Sequence, residues 1–299
     1  VQFPNFDPYL PFLHFGAFGV RWYAVAYIVG IVLGWAFARR LVQSEALWAP
    51  RPPPVTKLQL DDLVLWITLG VIGGGRLGYV LFYNIPGALA GKLDARDSIL
   101  ANPLELFQLW HGGMSFHGGA LGVIVAVLVY ALKNRIAPLR LGDLIAPCVP
   151  IGLFFGRIAN FINGELWGRP THLPWGMVFC NQTILNEYHG SCPAGAEPRH
   201  PSQLYEAGLE GLVLFAVLWL AVYRFRLLEK PGQVTGVFLI GYGLARFSLE
   251  QVREPDGFMP DALRGVLTMG MVLSLPMMAV GAWLLWRANR APAGEMAQG

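Results

Sequence analysis

The chain has 299 residues, of which 55% are hydrophobic and 14% charged, with a formal net charge of +3 and a mean hydropathy of +0.47. Soluble domains carry roughly 25% charged residues, so this composition excludes an ordinary soluble globule and points to a polytopic integral membrane protein. The sequence has no basic patch interleaved with aromatics, which argues against nucleic acid as a partner.

The chain opens with VQFPNFDPYLPFLHFG. This stretch lacks a basic n-region and a cleavage site, so the first span is expected to act as an uncleaved anchor. Seven apolar segments of near-spanning length follow, over residues 19–39, 62–83, 116–132, 144–162, 204–223, 234–252 and 263–286. The expected fold class is all-α, with seven transmembrane helices. The Lys/Arg bias sets the orientation. Arg39, Arg40, Arg51 and Lys57, then Lys133, Arg135 and Arg140, then Arg224, Arg226 and Lys230, then Arg287 and Arg290 fall on alternate connections. That side reads as cytoplasmic, with the N-terminus outside and the C-terminus inside. Two excursions then lie outside. Residues 84–115 are expected to hold a short interfacial helix ending in Trp110. Residues 163–202 are long enough for a small external subdomain. The chain, 1–299, reads as a single transmembrane domain.

Ionisable residues inside spans are costly and mark functional sites. Here they are Arg76, Arg157, Glu206, Glu210, Arg246 and Glu250, with His117 opening the third segment. Arg76, Arg157 and Arg246 lie roughly 18–21 Å along outward-running helices at 1.5 Å per residue. Tyr23, His117 and Glu206 lie near the starts of inward-running ones. All therefore fall in the outer half of a hydrocarbon layer about 30 Å thick. Pairing of the arginines with Glu206, Glu210 and Glu250 explains charge balance but not the shared depth. Arg157, Asn160 and Asn163 recur at i, i+3, i+6 on one helical arc. Gly164 is expected to end that helix, and Pro147 and Pro150 to kink it. Arginine holds phosphate through paired hydrogen bonds, so an outer-leaflet phospholipid headgroup fits both the depth and the chemistry.

The motifs HGGMSFHGG (111–119), GRIANFINGELWGR (156–169), RHPSQLYE (199–206) and GYGLAR (241–246), with WYA around Tyr23 and GGGRLGYVLFYN, resemble the prolipoprotein diacylglyceryl transferases of bacteria. The resemblance covers all seven segments. It implies a catalytic domain in the bacterial inner (cytoplasmic) membrane. Such enzymes move the sn-1,2-diacylglyceryl group of phosphatidylglycerol to the lipobox cysteine thiol of a prolipoprotein signal peptide, leaving a thioether and releasing glycerol phosphate. The implied partners are phosphatidylglycerol, the prolipoprotein and the bilayer; no cofactor and no metal is implied.

Residue by residue, the resemblance makes His117 the group that assists thiol deprotonation. A thiol of pKa about 8.5 reacts as thiolate, and imidazole titrates near neutral pH. Arg157 and Arg246 would hold the phosphate and stabilise the leaving group, although an internal ion pair accounts equally well for each arginine taken alone. Asn160 would orient the headgroup or a water, and Glu165 an arginine or the glycerol hydroxyls. Gly168 would make a tight turn near the lipid, Tyr23 and Tyr242 would bond the phosphate, and Arg253 would gate or attract anionic lipid. His200 and Glu206 lie in a matching motif without an assigned role; Arg76 and Glu250 read as support, and His111 as structural. A disulfide between Cys180 and Cys192 is left open, and Cys148 reads as packing. Two other readings compete. An intramembrane protease using Ser115 lacks a GxSG-like context. A lipid transporter or lipid-binding protein lacks clearly repeated halves.

Overall fold

The computed structural model describes residues 1–7, 9–15, 18–90, 98–108, 113–254 and 268–290. These form two compact units, one of residues 1–52 and 142–299 and one of residues 53–141. Apart from an antiparallel hairpin, β1 (Tyr9–Phe15) with β2 (Phe18–Arg21), the regular structure is helical. Among the described residues five helices are long and apolar enough to cross a membrane: Trp22–Gln43, Lys57–Leu89, Pro138–Ile162, Ser202–Tyr223 and Met269–Arg290.

In the unit of residues 53–141, α2 (Lys57–Tyr79) starts on a capping box. The Thr56 hydroxyl accepts from the Gln59 N–H, and the Gln59 side chain accepts from the Thr56 N–H. The helix was expected to stop near Tyr83. Instead it passes through a π-helical stretch, Val80–Asn84, into α3 (Ile85–Leu89). The wider turn leaves Pro86, which has no N–H to donate, at the head of a new segment. Buried Asn84 accepts the Ile99 N–H at 2.9 Å, which anchors the chain that follows. Beside α2 runs α4 (Phe116–Lys133). Small residues let the two backbones meet: a Cβ on Gly74 would lie 2.4 Å from the Gly118 carbonyl oxygen, and one on Gly122 would lie 2.1 Å from that of Gly70. This is how helices associate where the solvent is as apolar as their side chains. The outward faces are correspondingly apolar, with Leu65 and Leu69 on α2 and Leu121, Ile124 and Leu128 on α4 exposed. Residues 91–97 and 109–112, which include Trp110 and His111, lie outside the described residues. The part of this excursion that is described holds a short 3-10 turn, Pro103–Phe107.

In the larger unit, α1 (Trp22–Gln43) packs on α6 (Val149–Ile162). Before α6, α5 (Pro138–Ile145) gives way to a 3-10 turn, Ala146–Cys148, which holds Pro147, and Pro150 lies in the first turn of α6. Buried Asp143 on α5 accepts the N–H groups of Gly232 and Thr235 and the Thr235 hydroxyl, at 2.6, 2.8 and 2.8 Å. It thereby caps α10 (Gln233–Leu249) from another element. The Ser202–Tyr223 helix is made of α8 (Ser202–Glu206), a π-helical stretch Ala207–Val213 and α9 (Leu214–Tyr223). The last helix, α11 (Met269–Arg290), starts later than expected, and residues 263–267 of the expected segment lie outside the described residues.

Gly164 ends α6 as expected. Asn163 is the C-cap, and Gly164 takes a positive φ of +66° that glycine adopts freely. The chain then folds on an apolar cluster of Phe3, Phe179, Ile184 and Ala194, rimmed by Phe6, Phe161, Trp167 and Met177. Cys180 and Cys192 form a disulfide around α7 (Gln182–Glu187). The Val1 backbone nitrogen donates to the Gly176 carbonyl at 2.7 Å, which ties this part of the chain to residues 163–202.

Gly74→Val is expected to separate α2 from α4 and to lower the thermal midpoint of the detergent-solubilised protein. Overpacking costs roughly 1–3 kcal/mol or more. Gly73→Val, at a position with no atom within 4 Å of the added Cβ, should leave the midpoint near wild type. Equal midpoints for the two variants would contradict this packing.

Candidate active site

In the larger unit a network of charged side chains joins α6, the Ser202–Tyr223 helix and the end of α10. Gln203, Glu206 and Glu210, at i, i+3 and i+7, turn inward from one helix and are fully buried. Glu206 is the centre. Its Oε1 accepts from Arg246 Nη1 at 3.1 Å and from Arg253 Nη1, and its Oε2 lies 3.1 Å from Arg157 Nε. Glu210 Oε2 accepts from Arg157 Nη2 at 3.2 Å and Nε at 3.3 Å. Glu250 Oε1 lies 2.6 Å from Arg246 Nη2 and 3.5 Å from Arg253 Nε. Three guanidinium groups thus meet three carboxylates, so the ionised network is formally neutral. Unpaired, any of these charges would cost several kcal/mol to bury.

The network is asymmetric. The Glu206 and Glu210 side chains are 0% exposed and Glu250 4%, whereas Arg157, Arg246 and Arg253 keep 13%, 15% and 10%. The carboxylates sit behind the guanidinium groups. A guanidinium carries five N–H donors, more than these carboxylates take up: they meet Arg157 at Nε and Nη2, Arg246 at Nη1 and Nη2, and Arg253 at Nε and Nη1. A fixed array of unspent N–H donors on three cations is suited to an anion with several oxygens. Tyr242 lies about one turn before Arg246 on α10.

One turn along α6 from Arg157, Asn160 belongs to a second cluster. The Tyr23 hydroxyl donates to Glu165 Oε1, and the Asn160 amide donates to the same oxygen at 3.0 Å and to the Tyr23 hydroxyl. Gly168 is a point of close approach. A Cβ there would lie 2.3 Å from the Val252 carbonyl oxygen and 2.8 Å from the His200 Cβ. Its N–H donates to the His200 carbonyl at 2.9 Å, and it bridges to Arg253 in antiparallel fashion. Arg169 Nε donates to the Arg253 carbonyl at 2.8 Å. Arg253, expected just beyond the span, is therefore drawn back so that its side chain joins the network. His200 supports this interlock through its backbone. Burial lowers the pKa of its imidazole, whose Nδ1 lies 3.4 Å from the Tyr205 hydroxyl.

The unit of residues 53–141 carries the other expected groups. His117 stands exposed in the first turn of α4. Ser115, the nucleophile of the protease reading, is buried and caps α4 by accepting the Gly118 N–H at 3.2 Å. Buried Arg76 donates to the carbonyls of Glu105, Leu106 and Gly113 and pairs with the Glu105 carboxylate at 3.1 Å. It holds two stretches of the returning chain at once, which is the supporting role expected for it. Sequence reasoning gave Ser202 and Gln203 no role. The signal available was their place in RHPSQLYE, with Gln203 sharing the face of Glu206 and Glu210 on an apolar helix.

The chain is thus an apolar, mostly helical protein with several helices long enough to cross a membrane and an array of paired arginines in its larger unit. Residues 11–287 match the family described as prolipoprotein diacylglyceryl transferase. The chain is 54% identical over 301 residues to the phosphatidylglycerol–prolipoprotein diacylglyceryl transferase of Caulobacter vibrioides (strain NA1000 / CB15N), covering 99% of this chain and 98% of that protein. It is 56% identical over 294 residues to the protein of the same name from Caulobacter sp. (strain K31), covering 97% and 95%. It is 48% identical over 298 residues to that from Rhizobium leguminosarum bv. trifolii (strain WSM2304), covering 99% and 96%. The chain belongs to the prolipoprotein diacylglyceryl transferase family.

Glu206→Gln should leave three buried guanidinium groups facing two carboxylates. Breaking a buried pair in this way costs roughly 3–5 kcal/mol, so the thermal midpoint should fall sharply. Glu206→Gln combined with Arg253→Gln restores neutrality and should recover part of the loss. A double variant no more stable than Glu206→Gln alone would contradict charge balance as the cause.

Proposed function

We propose that this chain is a transferase that moves the sn-1,2-diacylglyceryl group of phosphatidylglycerol to the thiol of a prolipoprotein's lipobox cysteine. The observation that carries this reading is the row of three arginines held from behind by buried carboxylates, each with a donor unspent, in a member of this family. In the reaction the cysteine thiolate attacks the glycerol carbon bonded to the phosphate oxygen. A carbon–sulfur bond forms, the carbon–oxygen bond breaks, and its electron pair leaves with glycerol phosphate. The phosphate passes from a monoanionic diester to a monoester of higher charge. Arg157 and Arg246, with Arg253 beside them, stabilise that growing charge without reorganising, because the glutamates already fix them. Tyr242 lies along the same array. Tyr23, Asn160 and Glu165 orient the glycerol headgroup, with Gly168 and His200 shaping the backbone beside them. Thiol deprotonation is assigned to His117 as general base.

The same reading takes the chain as one catalytic domain of seven crossings, adding α4 and α10 to the five long helices. The N-terminus and residues 84–115 and 163–202 lie outside, and the C-terminus lies in the cytoplasm. The site faces the outer leaflet of the bacterial inner membrane. Two observations support this orientation: the Lys/Arg bias of the connections, and the disulfide within 163–202, which suits an oxidising compartment.

The test is reconstitution with labelled phosphatidylglycerol and a lipobox peptide. The expected products are a thioether-linked lipopeptide and free glycerol phosphate, with no modification of a Cys→Ser peptide. Equal modification of that peptide would overturn the thiol mechanism. In the same assay His117→Gln should slow transfer, because the thiol then lacks its base. A preserved rate would reassign His117 to positioning.

A further inference from the structure

The stretch from Gly164 to Leu166 runs against backbone preference. Gly164 and Leu166 have φ of +66° and +55°. Glycine adopts the left-handed region freely, but leucine does not, because its Cβ crowds the neighbouring backbone. Burial of the leucine does not account for the conformation, since the residue is 46% exposed. A bulky residue persists in this region only where its surroundings over-determine it.

Three hydrogen bonds do so here. The Glu165 N–H donates to the Asn160 carbonyl at 3.1 Å. Gln203 Nε2 donates to the Glu165 carbonyl at 2.5 Å, and the Ser202 hydroxyl donates to the Leu166 carbonyl at 3.0 Å. Ser202 and Gln203 are both fully buried in the first turn of α8. Gln203 Oε1 has no donor among the described residues, so the one bond this buried amide makes is the bond to the turn. Between the two left-handed residues stands Glu165, whose carboxylate meets the Tyr23 hydroxyl and the Asn160 amide.

We propose that Ser202 and Gln203 are positioning residues that clamp the Glu165–Leu166 turn and so set the Glu165 carboxylate against Tyr23 and Asn160. Neither touches a reacting atom; both act through Glu165. If Leu166 relaxes to a right-handed conformation, the carbonyls of Glu165 and Leu166 swing off their donors and the carboxylate turns away from α6. The inference rests on the reading of Tyr23, Asn160 and Glu165 as groups that face the lipid headgroup.

A double-mutant cycle on the reconstituted full chain tests it, reading kcat/KM for phosphatidylglycerol with the thermal midpoint as a check on folding. Glu165→Gln and Gln203→Met should each lower kcat/KM by about tenfold, and the double variant should fall within about twofold of the weaker single one, because both act on one carboxylate. Leu166→Gly added to Gln203→Met should restore about threefold, since glycine holds a positive φ without a clamp. Multiplying losses, or normal turnover in Gln203→Met beside an impaired Glu165→Gln, would overturn the clamp alone. Normal turnover in Glu165→Gln would overturn the lipid-facing reading and the clamp with it. Where Gln203→Met does not fold, Ser202→Ala removes one hydroxyl donor and carries the same cycle.

Discussion

A carboxylate with no access to solvent, placed in an apolar helix, has to find cations, and Glu206 finds three. Its two oxygens gather Arg157 from α6, Arg246 from α10 and Arg253 from the chain beyond α10. The ends of these elements are fixed relative to one another because none can leave without stranding a buried charge. Isolated pairs of this kind contribute little net stability against apolar alternatives. Here they do something else: they hold guanidinium groups in place before any ligand arrives. The neutral array needs no counterion when empty. In the proposed reaction it presents N–H donors to a phosphate that gains charge as it leaves.

The backbone serves the same constraint. Gly168 approaches Val252 and His200 more closely than any side chain would allow, and Arg169 grips the Arg253 carbonyl. The segment after α6 is thereby laced to the end of α10, and Arg253 turns into the network. Arg199 donates to the carbonyls of Ala194 and Gly168 and pairs with Glu254. The disulfide-closed segment and the arginine array are thus neighbours through a short run of hydrogen bonds. An apolar exterior and an interior seam in which charges are paired are what a membrane solvent demands of a chain that must carry charge.

Much of this was legible in the sequence, because hydrocarbon makes charge placement so costly. That Arg157, Arg246 and Glu206 share one level was expected from counting residues along apolar runs, and the ion pairs among them agree with that shared level. The end of α6 followed from Asn163 and Gly164. Three things escaped. The run of α2 past Tyr83 depends on a π-helical stretch, which leaves no mark in a 3.6-residue period. The recruitment of Arg253 depends on backbone pairing between distant segments. The roles of Ser202 and Gln203 depend on a left-handed leucine that no spacing announces. Spacing also showed that arginines and glutamates could pair, but not that the glutamates would lie behind and the arginines in front.

The central claim is that the arginines serve the phosphate and do not merely neutralise glutamates. Turnover of phosphatidylglycerol by the double variant Arg246→Ala/Glu250→Ala tests it most directly, because one positive and one negative charge leave together and the network stays neutral. The account predicts a folded protein whose turnover falls by at least ~10²-fold, the scale of losing an anion-stabilising donor. Near-normal turnover in that folded variant would contradict it and return Arg246 to structural pairing.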